Sequence, residues 1–213
     1  MLTLVLGTLV VKGQYPRNYF IPPLDTPLII TGSFGEIRED HLHSGIDIST
    51  NEEEGLPVYA IAEGYVSRVK ISATGYGKAI YITHPNGYVS VYGHLQKFTG
   101  AINEFVRKLQ YQRQTFELDE KFERNKYTVK MREVIAYSGS TGGTEGPHLH
   151  FEIRDEVTEE PINPLLFGIP VNDKTPPEIK LVRIMPEGEN GILNKTDTGE
   201  NYNVVPDPQV GTK

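Results

Sequence analysis

Residues 78–95, KAIYITHPNGYVSVYGHL, limit what this chain can fold into more than any other stretch. Residues 79–83 and 88–92 are short runs of β-branched and aromatic side chains with the period-two alternation of half-buried strands. The Pro-Asn-Gly sequence between them fixes one φ and tolerates positive φ at the next positions, which closes a hairpin. The flanking sequence continues in the same manner. LPVYAIAEGYVSRVKIS (56–72), YTVKMREVIAYSG (127–139) and HLHFEIRD (148–155) read as strands, and STGGTEGP (140–147) is a glycine-rich turn before the last of them. LIITGSFGEIRED (28–40) gives a short strand, a turn and a charged stretch.

Residues 99–128 interrupt the pattern. Ile102, Phe105, Val106 and Leu109 fall at i, i+3, i+4 and i+7, one stripe of a helix, and the charged run ELDEKFERNK follows as a loop. The expected fold is therefore mainly β, an antiparallel sheet core with a helical insertion at about 101–115. That stripe either packs on the sheet or gates a groove.

The ends suggest an organisation around this core. Residues 1–13 hold an apolar run from Leu2 to Val11, shorter than the roughly 20 residues that span a bilayer, and read as a secretory signal. A proline-rich extended lead-in over 14–27 precedes a main domain at 28–170. Residues 171–213 read as a Thr-Pro-Pro linker, a fresh strand in PEIKLVRIMP, and a polar, turn-rich end without a strand, the opening of an incomplete further module.

Composition narrows the chemistry. A formal net charge of −7 over 213 residues argues against a nucleic-acid binder, which concentrates positive charge. With no cysteine, any metal must be held by histidine and carboxylate. The 6 histidines stand at 41, 43, 84, 94, 148 and 150. On a strand His148 and His150 project from one face. His43 and Asp47, four apart, share a side of either a strand or a helical turn, and by parity His41 is as available as His43. Two neutral imidazoles and one carboxylate are a common set for a catalytic zinc whose fourth position stays open, whereas structural zinc usually has four protein ligands. His94 ends the second hairpin strand, and His84, in the hairpin turn, reads as solvated.

HLHSGIDI (41–48), VYGHL (91–95) and GPHLHFEIR (146–154), in this order, resemble the lysostaphin-like (M23, or LytM-type) zinc metallopeptidases. The resemblance takes in GLPVYAIAEGYVSRV, GYGKAIYITHPNG and VIAYSGSTGG as well, and covers most of 31–167. It implies the duplicated-hybrid-motif type of β fold, with His43, Asp47 and His150 as zinc ligands. It also implies two unliganded catalytic histidines: His148 as general base on zinc-activated water, and His94 orienting that water or stabilising the oxyanion. His41 then stands outside the ligand set. Some relatives use a tyrosine upstream of the first ligand for oxyanion stabilisation; FGEIRED has none, and Arg38 is at most a weak substitute. The implied function is a zinc endopeptidase that hydrolyses peptide bonds in peptidoglycan cross-links or stem peptides, in the periplasm or envelope of a Gram-negative cell. The rival is a non-enzymatic or gated regulator that activates another cell-wall hydrolase; occupation of all five expected positions argues against it.

Overall fold

In the computed structural model, which describes residues 15–25, 27–38, 41–124, 126–172, 181–184 and 200–203, the strands expected from the alternating segments form. They are β1 (Ile30–Gly32), β2 (Ile46–Ser49), β3 (Pro57–Tyr59), β4 (Gly64–Ile71), β5 (Lys78–Thr83), β6 (Tyr88–Gly93) and β7 (Lys97–Phe98). After helix α1 (Gly100–Arg113) come β8 (Leu118–Lys121), β9 (Thr128–Val129), β10 (Val134–Tyr137), β11 (His148–Asp155) and β12 (Pro161–Ile162), then a 3-10 turn at Pro164–Phe167. The main sheet has the order β1-β2-β11-β6-β5-β4-β8, with β12 beside β11 and β9 beside β4; a smaller sheet has the order β3-β10-β7. Neighbouring strands in both are antiparallel. The mainly β, antiparallel expectation holds.

Alternation decides which face is which. On β11, Leu149, Phe151 and Ile153 are fully buried in the core, with Ile46 and Ile48 of β2, Tyr92 of β6 and Ile80 and Ile82 of β5. Burying a side chain of this size contributes about 1.5–3 kcal/mol. The opposite face receives His148, His150, Glu152 and Arg154 from β11 and Asp47 from β2. Residues 15–25 and 27–28 close the core: Phe20, Leu24 and Leu28 are buried in it, and the Ile21 N–H donates to the Ile61 carbonyl at 2.9 Å. The Phe20 ring meets Phe167 of the 3-10 turn edge-on at 5.4 Å.

The insertion is a helix followed by a strand. Along α1 the predicted stripe is the packed one: Ile102 and Val106 are buried, and Phe105 and Leu109 are half-buried against the core. The charged segment, expected as a loop, contains β8, which pairs with β4. A polar strand suits a sheet edge, where one face is wet: Leu118 is buried, and Asp119 takes both Arg68 donors at 2.5 and 2.6 Å. Charge alone did not distinguish such an edge strand from a loop.

Residues 174–213 form a second compact unit. In it β13 (Leu181–Ile184), the strand expected there, pairs with β14 (Glu200–Asn203). The second strand corrects the expectation of a strandless end, because Glu-Asn-Tyr-Asn carries no apolar alternation and acquires strand geometry from its backbone partner. The run read as a secretory signal and the Thr-Pro-Pro segment lie outside the described residues. Among the described residues no helix is long and apolar enough to cross a membrane.

Candidate metal centre

Antiparallel pairing of β2 with β11 sets Asp47 directly opposite His150. His43 lies in the turn before β2, where its backbone N–H donates to the Glu36 carbonyl at 2.8 Å. Three atoms converge: His43 Nε2 is 3.0 Å from His150 Nδ1 and 3.1 Å from Asp47 Oδ1, and His150 Nδ1 is 3.0 Å from Asp47 Oδ1. All three residues are buried.

The outer atoms explain what the inner ones want. His43 Nδ1 lies 2.9 Å from the Ser33 carbonyl oxygen, which only accepts, so that nitrogen carries the proton. His150 Nε2 lies 2.8 Å from Glu152 Oε1 and is protonated for the same reason. In neutral imidazoles both inward nitrogens then present lone pairs, and so does the Asp47 carboxylate. Three lone pairs within hydrogen-bond distance of one another, with no donor among them, need a cation. Two nitrogens and one oxygen are a set that zinc accepts. The electrostatics agree. Burial would push the Asp47 carboxyl up, but the imidazoles of His148, His150 and His43, whenever they carry a proton on the nitrogen facing it, hold it well below the usual carboxylate range. Burial likewise opposes charge on His150, yet the Asp47 and Glu152 carboxylates raise its affinity for a proton. Positive charge is favoured at this point.

Arg38 completes the surround. Its Nη2 donates to Asp47 Oδ2 at 2.8 Å, which leaves Oδ1 for the centre. Gly32 makes that pair possible, since a Cβ there would stand 2.3 Å from Asp47 Oδ2 and 2.6 Å from Arg38 Nη2.

His148 and His94 flank the triad, their rings 4.6 Å apart. His148 Nε2 is 3.5 Å from Asp47 Oδ1, and its Nδ1 donates to the Gly146 carbonyl at 3.0 Å. His94 stands just past β6 in the left-handed region, φ 55°, and its Nδ1 donates to the Thr141 carbonyl at 2.8 Å. That carbonyl can sit there because position 77 is glycine: a Cβ on Gly77 would meet Thr141 C and O at 2.3 Å. Burial, with the cationic forms of His148 and His150 nearby, lowers the His94 pKa to about 4 despite the Thr141 carbonyl, so it is neutral near pH 7.

The groove over these residues has a volume of about 670 Å³; Arg38, His41, Tyr76, Thr144 and Glu145 line it beside the histidines. No described residue of 99–128 does. His41 is exposed there and outside the three-atom cluster. Two site neighbours escaped sequence reading. Glu152 was signalled by period two, since it follows His148 and His150 on the same strand face. Tyr76, whose ring stacks on His150 at 4.7 Å, comes from a loop that carries no such signal. His84 is not solvated but 2% exposed; Nδ1 bonds the Glu63 carbonyl and Nε2 the Ser90 hydroxyl, both at 2.8 Å. The lead-in ring of Phe20, 5.3 Å away, shields it.

Known proteins resemble this chain over the stretch that contains these residues. The family model "Peptidase family M23" matches residues 41–112 and 110–164. The DD-carboxypeptidase/endopeptidase Mpg of Neisseria meningitidis serogroup B is 35% identical over 134 residues, which are 63% of this chain and 24% of that protein. A lipoprotein NlpD/LppB homolog of Pseudomonas aeruginosa is 34% identical over 126 residues, 59% of this chain and 33% of the relative. The chain thus spans only a quarter to a third of the length of these relatives. Among solved structures, the catalytic domain of the prophage-encoded M23 protein EnpA from Enterococcus faecalis superposes with a TM-score of 0.51 at 23% identity, covering 70% of this chain and 98% of that one. A zinc-containing peptidase from Vibrio cholerae superposes with a TM-score of 0.50 at 27% identity, covering 68% and 39%. With the family pattern spread over most of its main sheet and His43, His94, His148 and His150 gathered at one site, the chain belongs to peptidase family M23, the lysostaphin-like metallopeptidases.

Proposed function

We propose that this chain is a zinc-dependent endopeptidase that hydrolyses peptide bonds in peptidoglycan cross-links or stem peptides. The observation that carries the reading is the convergence of His43 Nε2, Asp47 Oδ1 and His150 Nδ1, three acceptors with no donor between them. These three residues would hold the ion, which supplies Lewis acidity toward the scissile carbonyl and makes water nucleophilic near neutral pH. The remaining steps belong to the side chains. His148 Nε2, a lone pair because Nδ1 donates to Gly146, takes the proton of the attacking water and returns it to the leaving amine. The Gly146 carbonyl then faces an imidazolium, and the Nδ1–H bond to it strengthens. His94, neutral and with its Nδ1–H held by Thr141, offers Nε2 as an acceptor, which suits orienting the water rather than donating to an oxyanion.

The names of the relatives favour the wall as substrate, a DD-carboxypeptidase/endopeptidase in Neisseria and a peptidoglycan DD-endopeptidase in Vibrio cholerae. We place the enzyme outside the cytoplasm, in the periplasm or envelope of a Gram-negative cell, with residues 1–13 as its export signal, 28–170 as the peptidase domain and 171–213 as a linker and further module. The test is incubation of zinc-loaded protein with purified peptidoglycan and identification of released muropeptides by mass spectrometry. His150→Ala should lose both zinc and activity. His148→Ala should keep zinc and lose about 10²–10⁴-fold in rate. No release from any wall type by zinc-bound protein would overturn the reading.

A further inference from the structure

Glu152 is a fully buried carboxylate that the hydrolytic steps do not use. A buried carboxylate is costly unless each oxygen is paired. Here Oε1 accepts from His150 Nε2 at 2.8 Å and from the Tyr76 hydroxyl, and Oε2 accepts from Arg154 Nε at 2.5 Å. Arg154 Nη2 also reaches the Tyr76 oxygen at 3.4 Å. A guanidinium only donates and does not lose its proton, so the carboxylate beside it stays an acceptor. The nitrogen of His150 that faces Glu152 must therefore be N–H. The Tyr76 ring, nearly parallel to the imidazole at 25°, holds its plane while the hydroxyl holds Glu152.

We infer that Glu152, clamped by Arg154 and Tyr76, is a positioning residue that fixes His150 as its Nε2–H tautomer and so aims the Nδ1 lone pair at the ion between His43 and Asp47. This rests on the reading that the cluster holds a divalent cation. Without the clamp, a neutral His150 distributes between two tautomers, and one of them points a proton at Asp47 Oδ1. Residues of this kind typically govern about 10–100-fold in metal affinity.

Glu152→Gln tests the idea sharply because it reverses the donor pattern. Facing Arg154, the glutamine must turn its oxygen to the guanidinium, which leaves its NH₂ toward His150 Nε2 and Tyr76. That arrangement demands the opposite tautomer, Nδ1–H. The measurement is ¹⁵N NMR of the histidine rings in metal-free full-length protein, at a pH where His150 is neutral, alongside Zn²⁺ affinity by competition with a chromophoric chelator. Wild type should show Nε2–H at His150. Glu152→Gln should show Nδ1–H and bind Zn²⁺ about 10–100-fold more weakly. Tyr76→Phe, which keeps the ring and the Glu152–His150 bond, should keep the wild-type tautomer and lose no more than about tenfold. An Nδ1–H tautomer in wild type overturns the proposal even if Glu152→Gln does not fold. So does Glu152→Gln with the wild-type tautomer and affinity within about twofold, well inside the expected range. Wild type that binds no Zn²⁺ would instead sink the functional reading, while the tautomers still decide the role of Glu152.

Discussion

At the scale of single residues, the sequence assigned chemistry by type and spacing, and it failed where assignment depends on what folds over a side chain. The pair His148 and His150 was legible because a strand alternates. His84 was not, because its surroundings come from the lead-in around Phe20 and from the Glu63 carbonyl, both remote in sequence. Its hydrogen bonds form a chain: Nδ1–H to Glu63 O, Nε2 paired with the Ser90 hydroxyl, Ser90 O–H to the Tyr92 oxygen, and Ile61 N–H to that same oxygen. Burial lowers the His84 pKa from 6.5 to about 4, against the pull of the Glu63 carbonyl. The unfolded chain therefore binds this proton first, and stability falls as pH drops from 6.5 toward 4. The loss for this group alone should be about 3 kcal/mol. Urea unfolding of wild type and His84→Gln from pH 8 to pH 4 measures it: above about pH 6.5, the ordinary histidine value, the stability difference between them should be constant, and below it wild type should lose the additional amount. A parallel pH dependence in the two proteins would show that His84 does not titrate in this window.

At the scale of elements, the hairpin at β5–β6 and the helical stripe of α1 were legible from periodicity, because each buries one face and the pattern records which. The edge strand β8 was not, because backbone pairing with β4 rather than side-chain alternation stabilises it. The same geometry separates the insertion from the site. In the main sheet β8 stands beside β4, at the edge remote from β2 and β11, and no described residue of 99–128 lines the groove. The insertion is thus a packing element. Replacing 101–128 with a short Gly-Ser linker should lower the melting temperature and leave hydrolysis of small peptides no faster than in wild type; faster turnover would identify a gate. Ile102→Ala, which empties one buried position of the stripe, should cost about 2–5 kcal/mol by chemical denaturation without changing zinc affinity.

At the scale of the whole molecule, the centre exists only when distant segments meet. His43 and His150 are 107 residues apart and Asp47 and His150 103, and the strand order β2-β11-β6 brings both pairs and His94 to one end of one face. Sequence pattern identified the participants; only the sheet order and register supply the acceptor oxygens of Ser33, Glu152, Gly146 and Thr141 behind the imidazoles. Binding that requires the folded topology must stabilise it. The unfolded chain holds His43 and Asp47 close but not His150, so a zinc ion held by all three would bind the folded state preferentially and would add RT ln(1 + [Zn²⁺]/Kd) to its stability. At a free zinc concentration about 100 times Kd this amounts to about 2.7 kcal/mol, or about 5–10 °C for a domain of this size. Calorimetry with zinc and after chelation should show that shift in wild type and a similar one in His148→Ala. His150→Ala removes the ligand contributed by the far segment and should show almost none. An equal shift in wild type and His150→Ala would mean that zinc stabilises the fold from somewhere other than this centre.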